Sequence, residues 1–251
     1  VSGEWSALNE ADYHLDLTQD IRVTEIMFNP TVPTAEEIAA GHTITTDFEY
    51  VEITNISGEN QPLAGLRFTK GIDFTFGDVT IAPGEHVVVV SNQAAFEFRY
   101  KNYTGQIAGQ YGTGLVDGTQ LSDSGEKLQL SSPGGDQILT FDYKDGWYDH
   151  ADGGGFSLTI NNPLGSVERW DTKDGWRPSA APGGSPGDGD TLATPGSVVV
   201  SEVMAHTDGL NDAIELHNRS GDPVDVSGWW LSDQASDASG VEVLTKYQIP
   251  A

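Results

Sequence analysis

The chain has 251 residues, 38 acidic against 12 basic, giving a net charge of −26 at pH 7. With Lys and Arg scattered singly, that field repels phosphate backbones and anionic membrane surfaces, so neither nucleic acid nor membrane insertion is expected. The absence of cysteine removes disulfides, thiol catalysis and the usual zinc frameworks, while six Trp, eight Tyr and nine Phe within 37% hydrophobic content supply a buriable core.

No apolar run approaches a signal peptide or a membrane span, and a chain that starts at Val1 reads as a piece excised from something longer. Short runs rich in Val, Ile, Thr, Phe and Tyr recur between turn-formers at roughly ten-residue intervals, the spacing of an all-β sandwich. In chain order the expected strands are 21–28, 48–55, 66–69, 75–81, 86–91, 127–131, 137–143 and 156–160. Leu128 and Leu130 alternate with Lys127 and Gln129, as a half-solvated strand requires. Ser132-Pro133-Gly134-Gly135 then joins two alternating runs as a hairpin. Helix is expected only as short pieces over 34–40 and 94–100, the second placing Phe96, Arg99 and Tyr100 at helical spacing.

The Pro- and Gly-dense stretch 180–190 reads as an interdomain linker. After it the sequence repeats. Val23-Thr-Glu-Ile-Met27 returns as Val200-Ser-Glu-Val-Met204, and Tyr50-Val-Glu-Ile-Thr-Asn-Ile-Ser-Gly58 as Ala213-Ile-Glu-Leu-His-Asn-Arg-Ser-Gly221. Pro62-Leu-Ala-Gly65 returns as Asp225-Val-Ser-Gly228, which points to tandem copies of one module. The second copy breaks off near Tyr247, before counterparts of several later strands, and by itself lacks a complete core.

These ordered motifs, with Ile81-Ala-Pro-Gly-Glu85, Leu121-Ser-Asp-Ser-Gly-Glu-Lys-Leu128, Ala151-Asp-Gly-Gly-Gly-Phe-Ser-Leu158 and Gly183-Gly-Ser-Pro-Gly187, resemble the bacterial lamin tail domain family. The resemblance implies an immunoglobulin-like β-sandwich acting as an adaptor without known catalysis. The family's animal members bind nuclear partners and DNA through basic surfaces, which this acidic chain lacks. Residues 1–15, with Gly3-Glu-Trp-Ser-Ala-Leu-Asn-Glu10, are similar to the closing hairpin of the β domain at the C-termini of chitobiase-like proteins. The expected layout is the end of a preceding domain or linker (1–18), a complete module (19–187), a linker (188–196) and a truncated repeat (197–251).

Several residue groups are candidates for chemistry. Glu25 and Glu52, repeated as Glu202 and Glu215, form a possible acid/base pair on neighbouring strands, weighed against two outward-facing, solvated glutamates. Asp145, Asp149 and Asp152 lie on a Gly-rich segment with the oxygen ligands calcium takes, but without EF-hand spacing, and Asp-Gly is also an ordinary turn. Asp188-Gly-Asp190 reads as an exposed spacer, and the Asp233 to Asp237 stretch is equally ambiguous. Trp147, Tyr148, Trp170 and Trp176, with Trp229 and Trp230, offer either a sugar-stacking face or core packing. Asn55-Ile-Ser57 and Asn218-Arg-Ser220 read as turn chemistry, and none of the six histidines forms a metal-type pair. The expectation is thus a non-catalytic structural or adhesive module of a secreted or cell-surface protein, meeting extracellular protein or polysaccharide and neighbouring domains. A calcium-stabilised carbohydrate-binding module is the alternative, and a carboxylate hydrolase the third.

Overall fold

The computed structural model describes residues 20–112, 120–190, 197–205, 213–221, 224, 226, 229–231 and 247–249. The chitobiase-like segment and the Asp233 to Asp237 stretch lie outside the described residues.

Two sheets face each other. The larger is built from β1 (Ile21–Met27), β2 (Tyr50–Asn55), β7 (His86–Val90), β8 (Gln106–Gln110), β11 (Leu158–Ile160) and β12 (Trp176–Pro178), while β3 (Gln61–Pro62) and β6 (Thr80–Ile81) form a separate two-stranded ribbon. Its order is β12-β11-β1-β2-β7-β8. The smaller sheet has order β10-β9-β4-β5, from β4 (Arg67–Lys70), β5 (Phe74–Thr75), β9 (Lys127–Ser131) and β10 (Gln137–Asp142). All pairings are antiparallel except β7 with β8. The inner faces meet in one core that includes Ile26, Val51, Ile53, Phe68, Phe141 and Trp176, so the fold is an all-β, immunoglobulin-like sandwich.

The central strands β1 and β2 are buried along their whole length. Alternation puts Val51 and Ile53 into the main core, while Tyr50 and Met27 enter a second cluster on the outer face with Val88, Val90 and Phe96. That cluster exists because helix α2 (Gln93–Arg99) lies on the outer face, started by Asn92, whose side chain accepts from the Ala95 amide at 3.2 Å. Helix α1 (Ala35–Ala39) starts with a capping box between Thr34 and Glu37. Arg99 joins the two helices, donating from Nε to Glu37 Oε1 at 2.8 Å with its guanidinium 3.5 Å from the Phe48 ring centroid.

Some expected elements differ. The run 75–81 is not one strand: a break at Gly77-Asp78 lets Phe74–Thr75 pair with β4 and Thr80–Ile81 with β3. The start of the run 48–55 is a 3-10 turn over Thr45–Phe48. Strands β8 and β12 carry Gln, Gly, Arg and Pro, residues of weak strand signal, and are strands because neighbouring ladders extend to them. Stretch 180–190, read as an interdomain linker, lies against the first sandwich: Asp190 bonds the Arg177 guanidinium and its oxygens accept from the Ala180 amide at 3.0 and 3.1 Å. A Pro- and Gly-rich composition excludes strand and helix, yet leaves backbone amides free to cap a carboxylate.

β13 (Val198–Met204) pairs with β14 (Ala213–Asn218) in the register of β1 with β2, including Glu202 opposite Glu215 and a shift between Val200 and Glu202. β15 (Trp230–Leu231) pairs with β16 (Tyr247–Gln248) as β4 pairs with β5.

Candidate functional site

Glu25 and Glu52 are direct partners in the β1–β2 ladder. A register shift between Val23 and Glu25 leaves Thr24 out of the pairing, and its hydroxyl donates to Glu52 Oε1 at 2.5 Å. The bulge therefore brings three polar side chains to one spot on the outer face. Sequence alternation predicts outward glutamates, and outward they are, but the expectation of solvation is overturned: Glu25 is 1% and Glu52 2% exposed.

The cover is the segment 183–187. Ser185 donates its backbone N–H to Glu25 Oε1 at 2.8 Å, and Gly187 donates its own to Glu52 Oε2 at 2.7 Å. Tyr50 donates its hydroxyl to Glu25 Oε1 at 2.8 Å, Ser157 adds a short bond to the same oxygen, and the Ser185 hydroxyl reaches Oε2 at 3.4 Å. Tyr100 donates to the Gly183 carbonyl at 2.7 Å, tying the cover to α2. Gly184 has φ +76°, and any side chain there would run into the Tyr50 hydroxyl, Glu25 and Ser157, so this turn over the carboxylates admits only glycine.

Glu25 and Glu52 themselves line, with Thr54, His86, Asn161, Arg177 and Asp188, a cleft of about 250 Å³. His86 Nδ1 lies 3.0 Å from Glu52 Oε1 and 2.7 Å from the Thr54 hydroxyl. That bond to Glu52 holds the imidazole above its ordinary pKa. Burial, followed by repulsion from Glu52, pushes the Glu25 carboxyl up to about 7, against the stabilising bonds it accepts. The arrangement is chemically a clasp: two acids at the centre of a sheet, holding a connecting segment down through backbone amides. A carboxylate that serves as acid or base must reach a substrate proton, and here each of the four oxygens already accepts from the protein.

The lamin tail domain family matches residues 17–145 and 191–251. The chain belongs to that family. The two matched stretches fall on either side of β11, β12 and the cover segment. No curated protein matches the chain.

In this lamin tail domain the other sequence-predicted residues divide clearly. Asp145 opens a 3-10 turn and is half-buried, whereas Asp149 and Asp152 are exposed and Asp152 accepts from Asn29 Nδ2 at 2.7 Å. The three are not gathered, and among the described residues no group of three or more His, Asp or Glu side chains is placed to hold a metal ion. Trp170 and Trp176 are 3% and 0% exposed and belong to the core, which excludes them from a sugar-stacking face, while Trp147 and Tyr148 are half-buried against it. Asn55 does the expected turn work, its Oδ1 accepting from the Ser57 amide at 2.9 Å, and Asn218 repeats this with Ser220 at 2.9 Å. Asp190, expected as an exposed spacer, is instead enclosed beside Arg177.

Sequence reasoning missed Glu49. It is fully buried, accepts from the Leu121 amide at 2.7 Å and the Tyr111 hydroxyl at 3.2 Å through Oε2, and burial pushes its carboxyl up to about 9. No local pattern marks it, since a Glu before a strand is ordinary. For the clasp a signal did exist: Gly183-Gly-Ser-Pro-Gly187 is a motif whose glycines the turn requires, and it was legible as a motif without its target.

Proposed function

We propose that the chain is a tandem lamin-tail array of a secreted or cell-surface bacterial protein, serving as a non-catalytic structural and adhesive module toward extracellular protein or polysaccharide. The observation that carries the non-catalytic part is the clasp: the most enzyme-like pair of carboxylates is buried beneath residues 183–187 and used to fasten them, each oxygen accepting a hydrogen bond from the protein. The tandem part is supported by the identical register and bulge of the two hairpins, and by Ser201 donating to Glu215 where Thr24 donates to Glu52. A net charge of −26 supports a solvated surface that rejects polyanions. Calcium at Asp145, Asp149 and Asp152 is left out of this reading because those side chains stand apart.

The test is retention of the full chain on immobilised polysaccharides and extracellular-matrix proteins, run in parallel with an assay for released reducing ends. Retention without release is the expected result. Release by the wild type that disappears in Glu52→Gln would replace this reading with the hydrolase.

A further inference from the structure

Residues 184–189 form a strap between two fixed points. At one end the Gly183 amide donates to the Gly155 carbonyl at 2.7 Å, and the Gly183 carbonyl accepts from Tyr100 at 2.7 Å. At the other end Asp190 is bound to Arg177 and to the Ala180 amide. Between these points every hydrogen bond from the strap to the sheet ends on Glu25 or Glu52, through the Ser185 amide and hydroxyl and the Gly187 amide. Gly187 and Gly189 give its backbone freedom to swing about the two ends. The strap thus rests on two acids that are cross-strand partners, buried and facing the same side of the sheet. Carboxylates so placed repel when both are ionised, and the strap keeps water from them. Glu25 Oε1 already accepts from Tyr50, Ser157 and the Ser185 amide, so the proton belongs on Oε2, whose partner is the Ser185 hydroxyl at 3.4 Å.

We propose that the strap is a pH-sensitive latch, closed while Glu25 holds its proton and lifting from the sheet, between Gly183 and Asp190, once that proton is lost. Lifting lets water reach Glu25 and favours its ionised form, so the closed state binds the proton more tightly and rising pH drives opening. Burial, followed by repulsion from Glu52, holds the closed-state carboxyl up to about 7, which puts the change across neutral pH. The groups on the other packed elements act in the same direction or not at all. His86 on β7, raised by its bond to Glu52, also loses its positive charge as pH rises. Asp188 on the strap adds negative charge beside it, and Arg177 on β12 is already engaged by Asp190. Burial keeps the hydroxyls of Tyr50 on β2 and of Tyr100 and Tyr103 after α2 protonated, and the Glu37–Arg99 pair beyond Tyr100 is balanced. The latch involves no catalytic step and stands apart from what the module adheres to.

The experiment is amide hydrogen exchange of the full chain between pH 5 and pH 8, with each rate divided by the intrinsic chemical rate at that pH. Protection of the Ser185 and Gly187 amides is expected to fall by about tenfold or more over this range, and at pH 8 to lie well below that of the hairpin over 127–142. Glu25→Gln, which keeps the oxygen for the Ser185 amide and cannot ionise, should hold the strap's protection flat, with near-UV circular dichroism showing both proteins folded at both pH values. Strap protection that is indifferent to pH in the wild type overturns the proposal. So does protection equal to that of the hairpin, which would mean that the strap opens only with the whole sandwich, or a pH dependence that survives in Glu25→Gln. Retention on polysaccharide or matrix protein is read separately, so failure here leaves the adhesive reading to its own assay.

Discussion

Replacing Glu25 by Gln should make the protein more stable at neutral pH, and by an amount that depends on pH. In the folded state the carboxyl is held up to about 7 from an ordinary value of 4.5. Below about pH 4.5 it is protonated whether the chain is folded or not, and contributes nothing to the pH dependence. Between there and pH 7 the unfolded chain releases the proton while the folded one keeps it, so wild-type stability falls as pH rises. A shift of this size corresponds to roughly 3 kcal/mol in full. Gln keeps an oxygen for Tyr50, Ser157 and the Ser185 amide, and its nitrogen can donate to the Ser185 hydroxyl, so the clasp stays bonded. Urea unfolding of both proteins at pH 5 and pH 8, at fixed ionic strength and followed by near-UV circular dichroism, isolates the effect in the difference between them. The advantage of Glu25→Gln is expected to grow by about 2–3 kcal/mol from pH 5 to pH 8, while repulsion from the other acids and titration of Glu49 cancel in the comparison. A difference that stays flat, or shrinks toward pH 8, refutes the assignment of a buried, proton-retaining Glu25.

The cover itself is tested by Gly184→Ala, which adds a side chain against Tyr50 and Glu25 at φ +76° and should cost about 2–4 kcal/mol in the urea midpoint. Gly135→Ala has φ +96° but open space around it, and should cost only about 1–2 kcal/mol; equal costs would refute close packing over the carboxylates. Arg99→Ala strands Glu37, whose carboxyl the guanidinium holds down near 2, and should destabilise by about 3 kcal/mol at pH 7. Because that carboxyl is depressed, its contribution is present above about pH 4.5 and lost as pH falls toward 2, so the gap between the two proteins should narrow at pH 3. The net charge of −26 predicts a melting midpoint that rises from 0.05 to about 1 M sodium chloride as self-repulsion is screened; an unchanged midpoint would show that the acidic surface is energetically neutral.

Local pattern was enough to expose the sandwich. Alternating runs separated by turn residues and the short helical stretches over 34–40 and 94–100 are properties of neighbours in sequence. The sequence also carried every residue of the clasp, including the glycines its turn demands. What it did not carry was burial. Whether Glu25 and Glu52 meet water depends on segment 183–187, more than 130 residues away, folding back across the sheet, and on α2 covering the adjoining face. The same period-2 pattern gives enclosed acids in β1–β2 and exposed acids in β13–β14. Alternation fixes the side of a sheet to which a residue points, because it is a property of the backbone. Only the tertiary structure decides what stands on that side, and that determines whether a glutamate is a solvated charge or a buried, hydrogen-bonded anchor.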